Sequence, residues 1–244
     1  MKRFAPLLAL LAVLTMAIPA HAKAASPKGK APLMSENFQA GFDLGIYFFS
    51  AIPYSSVEYK KDGKTGKATI NGNGGVGFPI IGAHFNMLAA EKYIIHLDVA
   101  YGYQPGVATY KYEKFENKTL SDKQINFSMQ TYRASVGIGK SIINTAYVKP
   151  YWMLGISLEE LIFDDERGHN GTNQNASGTG LGGWGALGVD VKIVHTKGIT
   201  FFAGGQFRVD IMYTVTPLIR SKPDSSITMA YIPISMILSG GIQF

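Results

Sequence analysis

Hydrophobic and polar residues alternate singly along much of this chain. In residues 92–105, KYIIHLDVAYGYQP, one face carries Tyr93, Ile95, Leu97, Val99, Tyr101 and Tyr103, and the other Ile94, His96, Asp98, Ala100, Gly102 and Gln104. A period of two is the signature of a β-strand. The same period runs through residues 38–48, where Phe38, Ala40, Phe42, Leu44, Ile46 and Phe48 alternate with Gln39, Gly41, Asp43, Gly45 and Tyr47. It recurs in residues 148–158 (Val148, Pro150, Trp152, Leu154, Ile156, Leu158), in 199–213 (Ile199, Phe201, Ala203, Phe207, Val209, Ile211, Tyr213) and in 234–244 (Ile234, Met236, Leu238, Ile242, Phe244).

Three further strands are less regular. Around 124–139 the apolar phase runs Ile125, Phe127, Met129 and then switches to Tyr132, Ala134, Val136, Ile138, which predicts a bulge or an upper part standing clear of the apolar zone. Around 181–193, Asp190 and Lys192 face away from Leu187, Val189, Val191 and Ile193. Around 74–85, glycines and Pro79 blur the pattern, and the strand is placed because an antiparallel meander needs a partner there. The total is eight, with ten left open because the first and third long connections have room for a further hairpin. Long polar connections are expected at about 51–73, 105–123, 161–179 and 214–229, alternating with short links near 86–92, 141–146 and 195–198. Short turns at one end and long loops at the other are the layout of a transmembrane β-barrel.

Alternation alone does not say which face meets water. Tyr93 and Tyr103 bracket the apolar face of their strand, and ten residues at ~3.3 Å each, tilted by ~40°, project to roughly 25 Å, the height of an outer-membrane apolar band. The opposite faces are small or amide residues with sparse charges of both signs: Asp43, Asp98, Arg133, Lys149, Asp190, Lys192, Arg208 and Asp210. Only 16% of the chain is charged, against about 25% in a typical soluble domain. A charge on the lipid face costs up to ~2–4 kcal/mol, so these residues are expected in the lumen. The expected fold is therefore all-β, an eight-stranded antiparallel up-and-down transmembrane β-barrel.

The chain start reads as an address. Lys2 and Arg3 precede an apolar run from Phe4 to Ile18 and a small-x-small site at Ala20-His21-Ala22, which predicts a signal peptide over 1–22, a disordered periplasmic tail over 23–37 and a barrel over 38–244. There is no cysteine, which excludes disulfides, thiolate metal sites and acylation of a first-residue cysteine. The net charge of +6 includes Lys2 and Arg3; the remaining +4 is too mild to demand nucleic acid.

The last strand ends on Phe244 with Ile234, Met236, Leu238 and Ile242 at alternate positions before it. In this the chain resembles small outer-membrane β-barrel proteins of the OmpA, OmpX and OmpW type. The resemblance implies export to the bacterial outer membrane, contact with its lipid and lipopolysaccharide, and recognition of Ile242 and Phe244 by the barrel-assembly machinery. It also implies a non-enzymatic role in envelope integrity, adhesion or host contact through the loops. The alternative it carries is a narrow, OmpW-like channel for small apolar solutes. A secreted carrier of the lipocalin type, with its apolar face turned inwards, is the soluble rival.

The chemical motifs are weak. Gly178-Thr179-Gly180-Leu181-Gly182-Gly183 matches G-x-G-x-x-G without a surrounding βαβ unit, and its glycines are expected to relieve crowding where a strand bends or enters a loop. His96 and Asp98 share a face and are expected to join a lumenal network with Arg133, Lys149 or Arg208, because buried charges need partners. None of His84, His96, His169 and His195 is followed by Ser two residues later, so the His-x-Ser pair of a lipid A deacylase is missing. Pro27 and Pro32 interrupt the amphipathic helix that a palmitoyltransferase would place before its barrel. Asp164, Asp165, Glu166 and His169 are expected at a solvated loop tip, and Lys60, Lys61, Lys64 and Lys67 in a flexible solvated loop. No catalytic, cofactor or metal site is expected.

Overall fold

The computed structural model describes residues 38–61, 64–89, 92–114, 123–143, 145, 147–165, 174–196, 198–215 and 225–244. The expected signal peptide and tail lie outside them. Nine β segments follow in order: β1 (Phe38–Lys61), β2 (Lys64–Gly74), β3 (Gly77–Ala89), β4 (Tyr93–Lys114), β5 (Lys123–Ser141), β6 (Val148–Asp165), β7 (Gln174–Thr196), β8 (Ile199–Val215) and β9 (Ser225–Gln243). β2 and β3 both lie between β1 and β4, so they are one wall position interrupted at Gly75-Val76. With β1 paired to β9, the eight wall positions close into a ring. The first long connection supplies only the β1–β2 hairpin within this ring.

The register fixes the stagger. From Lys92, whose carbonyl accepts from the Ser141 amide, the ladder passes through Ser141, Tyr151, Gly188, Gln206, Ile237, Gly45 and Ile80 to Gly102. It thus returns to β4 ten residues higher, from 92 to 102. Eight strands with that stagger tilt by about 40°. The turn between β7 and β8 uses Gly198 at φ +83°, a conformation glycine adopts without a Cβ clash.

Around the turn end of the barrel the expected phase holds. Phe42 (79% exposed), Leu44, Ile138, Leu154, Ile156, Leu187, Ile211 and Leu238 point outwards, while Gln39, His96, Asp98, Lys149, Asp190 and Arg208 point into the bore. Tyr93, Phe201 and Phe244 border this apolar belt on one side, and Tyr101, Tyr103, Tyr132 and Tyr213 on the other, about 25 Å apart along the axis. The lipocalin arrangement, apolar inwards, is the reverse of this lower half.

Beyond the upper tyrosines the strands continue, and this corrects the expected loops. Most of residues 51–73, 105–123 and 161–179 lies in β1, β2, β4, β5, β6 and β7, and of 214–229 the described residues belong to β8 and β9. There the two faces exchange character. Ile52, Val57, Phe127, Met129, Leu161, Phe163, Met212, Ile227, Met229 and Tyr231 form one buried cluster inside the barrel. Outside stand Asn71, Asn73, Gln124, Asn126, Ser128 and Ser56. β5 shows the exchange most plainly: its pairing with β4 and with β6 runs without a register shift from Phe127 to Lys140, so of the two expectations there is no bulge and the upper part stands clear of the apolar zone. The backbone keeps its period and the surrounding solvent changes. Each such core side chain contributes about 1.5–3 kcal/mol through burial, and all of these but Ile52 are at most 2% exposed.

Two further expectations change. Lys60 and Lys61 belong to β1 and Lys64 and Lys67 to β2, in paired strands rather than a flexible loop. Gly178–Gly183 lie within β7, away from its ends; Gly178 and Gly180 are buried, the latter against Thr214 and Glu159.

Candidate functional site

The residues with chemistry to offer face the bore, because every strand that supplies them alternates. β8 contributes Arg208 and Asp210, β4 contributes His96 and Asp98, and β5 contributes Arg133 and Ser135. β4 and β8 are four wall positions apart in a ring of eight, hence diametrically opposed. Arg208 spans the bore between them: its Nη1 donates to Asp98 Oδ2 at 2.9 Å, its Nη2 to Asp210 Oδ1 at 2.8 Å and its Nε to Asp210 Oδ1 at 3.0 Å. Nη2 also reaches Ser135 Oγ at 3.0 Å and Ser157 Oγ at 2.9 Å. The guanidinium lies 4.2 Å from the Trp184 ring centroid, a cation–π contact that satisfies its face while the carboxylates satisfy its edge.

Arg133 completes a square of two cations and two anions, with Nε 3.6 Å from Asp98 Oδ1 and Nη1 3.5 Å from Asp210 Oδ2. Above it Glu159 is buried, and its Oε1 accepts no hydrogen bond. Trp184 fits because Gly137 and Gly155 leave room for it; a Cβ at either would run into the indole. The indole Nε1 donates to the Ile156 carbonyl at 3.2 Å.

Towards the turn end the network continues. His96 Nε2 contacts Asp98 Oδ2 at 3.0 Å and its Nδ1 contacts Asn86 Oδ1 at 2.6 Å. Asn86 Nδ2 donates to Gln39 Oε1 at 3.0 Å, and Gln39 Nε2 to Asp190 Oδ2 at 3.1 Å. Lys149 Nζ then pairs with Asp190 Oδ2 at 3.2 Å. A side branch joins Asp43 to His84 at 2.9 Å and to Ser239 Oγ at 2.7 Å, and His84 stacks on His96 with centroids 5.9 Å apart. The path from Lys149 to Arg133 is unbroken.

Of the residues singled out in the sequence, the structure brings His96, Asp98, Arg133, Arg208 and Asp210 together. Lys149 with Asp190 sits at the turn end, Asp43 pairs with His84, and Lys192 is half-buried at the turn end of β7. Ile242 and Phe244 face outwards at the seam, where Phe244 and Phe38 exchange backbone hydrogen bonds and their rings lie 6.0 Å apart. Sequence reasoning did not single out Gln39, His84, Asn86, Ser135, Ser157, Glu159 or Trp184. Their alternation put them inside, but nothing in a single strand says which of them meet.

The cluster contains a serine, a histidine and an aspartate, yet in the wrong order for nucleophilic catalysis. Ser135 Oγ donates to Asp98 Oδ1 at 3.3 Å, and the imidazole touches the same carboxylate rather than the hydroxyl. Among the described residues no group of three or more His, Cys, Asp or Glu side chains is arranged to hold a metal ion. Glu166 and His169 of the acidic cluster lie outside the described residues.

A closed eight-stranded barrel with an apolar belt outside and paired charges inside satisfies every condition a bilayer imposes on β-structure. The fold is a closed eight-stranded antiparallel β-barrel of the transmembrane type. No family model matches the chain, and no curated protein sequence does. Among solved structures it is similar to Ail, the attachment invasion locus protein of Yersinia pestis, at 18% identity and a TM-score of 0.38 over 86% of this chain and 99% of that one. It is similar also to the outer membrane protein OprG from Pseudomonas aeruginosa (16% identity, TM-score 0.40, 86% and 97% covered). A third is the outer membrane protease OmpT from Escherichia coli (8% identity, TM-score 0.40, 89% and 99% covered).

Proposed function

We propose that this barrel is a sealed, non-enzymatic pedestal that carries surface-contact segments away from the outer membrane. The observation that carries the reading is the double closure of the bore. Arg208 and Asp98 lock it at mid-membrane height, and the apolar cluster around Phe127, Leu161, Phe163 and Met229 fills it above. An ion crossing the first barrier would have to break charge-assisted hydrogen bonds, and any solute crossing the second would have to displace packed side chains. The narrow-channel alternative needs an open lumen, and the packing speaks against it. Strands that continue past the belt form a hydrophobically cored stalk outside the bilayer, which suits adhesion, host contact or envelope reinforcement.

The test is single-channel conductance of refolded protein in planar bilayers, after heat-modifiable gel migration has verified the folded barrel. Silence from folded protein is the expected result. Discrete conductance steps would replace the pedestal reading by the channel.

A further inference from the structure

The relay between Lys149 and Arg208 fixes where the hydrogens of the bore must lie. Lys149 only donates, and Asp190, its ion-pair partner at 3.2 Å, only accepts. Gln39 sits against both, with Oε1 3.5 Å from Lys149 Nζ and Nε2 3.1 Å from Asp190 Oδ2, so its amide has one orientation. Gln39 Oε1 then needs a donor from Asn86, which is Nδ2 at 3.0 Å, and this turns Asn86 Oδ1 towards His96 Nδ1 at 2.6 Å. A carbonyl oxygen accepts only, so Nδ1 carries a hydrogen. On the other side of the ring Asp98, a carboxylate paired with Arg208, accepts from Nε2 at 3.0 Å. Both ring nitrogens of His96 therefore donate.

We infer that His96 stands in the folded bore as an imidazolium cation, a proton-operated latch between the Arg208 lock and the relay that ends on β6 and β7. The buried ring has neighbours that suit a cation. Asp98 lies on its own strand, and β3 supplies Asn86 and His84, whose ring is 5.9 Å away and whose Nδ1 is taken by Asp43 of β1. Trp184 of β7 makes a T-shaped contact at 5.4 Å. Around the square, Asp98, Asp210 of β8 and Glu159 of β6 are three carboxyl groups against two guanidiniums, Arg133 of β5 and Arg208 of β8, which leaves room for one more positive group. Lys149 of β6 and Asp190 of β7 neutralise each other. Passing the proton to solvent hydroxide turns one ring nitrogen into an acceptor, and it then faces another acceptor, either Asp98 or Asn86 Oδ1. Reversing the amides gives no relief, because Asp190 cannot donate and Lys149 cannot accept. One link of the chain must open, so the stability that the latch supplies is present in acid and lost as pH rises.

The direct test is nuclear magnetic resonance of the refolded protein, carrying isotopically labelled histidine, in phosphatidylcholine nanodiscs at neutral pH. The His96 signal is assigned by its absence in His96→Gln, or by replacing the other histidines in turn should that variant not fold. A directly bonded hydrogen on each ring nitrogen is the expected result, and a hydrogen on only one of them overturns the inference. The second test compares urea unfolding of the wild type and His96→Gln at about pH 6 and about pH 9, either side of the range in which an ordinary histidine titrates. Between the two, the advantage of the wild type in the unfolding equilibrium constant is expected to shrink about ten- to a hundredfold, the worth of one charge-assisted hydrogen bond. An advantage that stays constant or grows with pH overturns the latch.

Discussion

Arg208 Nη1 lies 2.9 Å from Asp98 Oδ2, joining β8 to β4 across the diameter of the barrel. Arg208 is fully buried, and its three guanidinium nitrogens meet two carboxylates and two serine hydroxyls. Arg208→Met takes away the central cation and leaves Arg133, at 3.5–3.6 Å, as the one guanidinium near Asp98 and Asp210, so unfolding in urea is expected to become easier by about 3–5 kcal/mol. Asp98→Asn is expected to cost less, because Asp210 still holds the guanidinium. In the double variant Arg208→Met/Asp98→Leu the loss should fall short of the sum of Arg208→Met and Asp98→Leu alone, since neither charge is then stranded. Additive losses would mean the two residues are not coupled.

The apolar cluster above the belt behaves as the core of a soluble protein. Leu161→Ala and Phe163→Ala each open a cavity that nothing can fill and are expected to cost about 2–5 kcal/mol. Leu154→Ala, on the lipid face of the same strand, leaves space that acyl chains occupy and should cost well under half as much. Chemical unfolding of the three variants in one detergent compares them directly.

The position of the belt makes an opposite pair of predictions. Ile156→Arg places a charge on the lipid face near mid-band and should destabilise the barrel by about 2–4 kcal/mol, whereas Asn126→Arg lies in water and should be neutral within ~0.5 kcal/mol. If the arginine at 126 proves as costly as that at 156, the belt reaches higher than the tyrosines indicate.

Trp184 depends on the two glycines beneath it. Gly155→Val would drive a branched side chain into the indole and the Val136 carbonyl, displacing the ring from Arg208. The expected outcome is loss of the heat-modifiable folded band, and Gly183→Ala, whose Cβ would make only an ordinary contact with the Gly155 carbonyl at 3.7 Å, is the variant expected to fold normally.

The lower half of the molecule was legible because lipid outside and charge inside produce an unmistakable alternation, as in residues 92–105. The upper half was misread for a physical reason. Once a strand leaves the bilayer its outward residues turn polar, and segments such as 66–74, rich in glycine, threonine and asparagine, look like loops. Phe127 and Met129 then seemed out of phase with Val136 and Ile138, although all four keep one continuous pleat. Hydropathy reports which face is apolar; it does not report that the solvent outside has changed. At the site, Asp98 and Arg208 could be assigned to the bore, but their meeting depends on a stagger of ten residues that only closure of the whole ring defines. The Asp43 and His84 pair was hidden by the glycines and Pro79 that blurred β3.

The exchange of faces along one strand is the central claim, and the absence of native cysteine allows it to be tested one position at a time. Cysteine introduced separately at Asn126, Phe127 and Val136 of β5 is to be reacted with a membrane-impermeant maleimide in folded, vesicle-embedded protein. The expected result is rapid labelling at 126, protection at 127 by the apolar interior and protection at 136 by lipid, with positions 127 and 136 labelling only after unfolding. Rapid labelling at 127 in the folded protein would mean that the upper bore is open to water, and the account of a sealed, inverted barrel would be wrong.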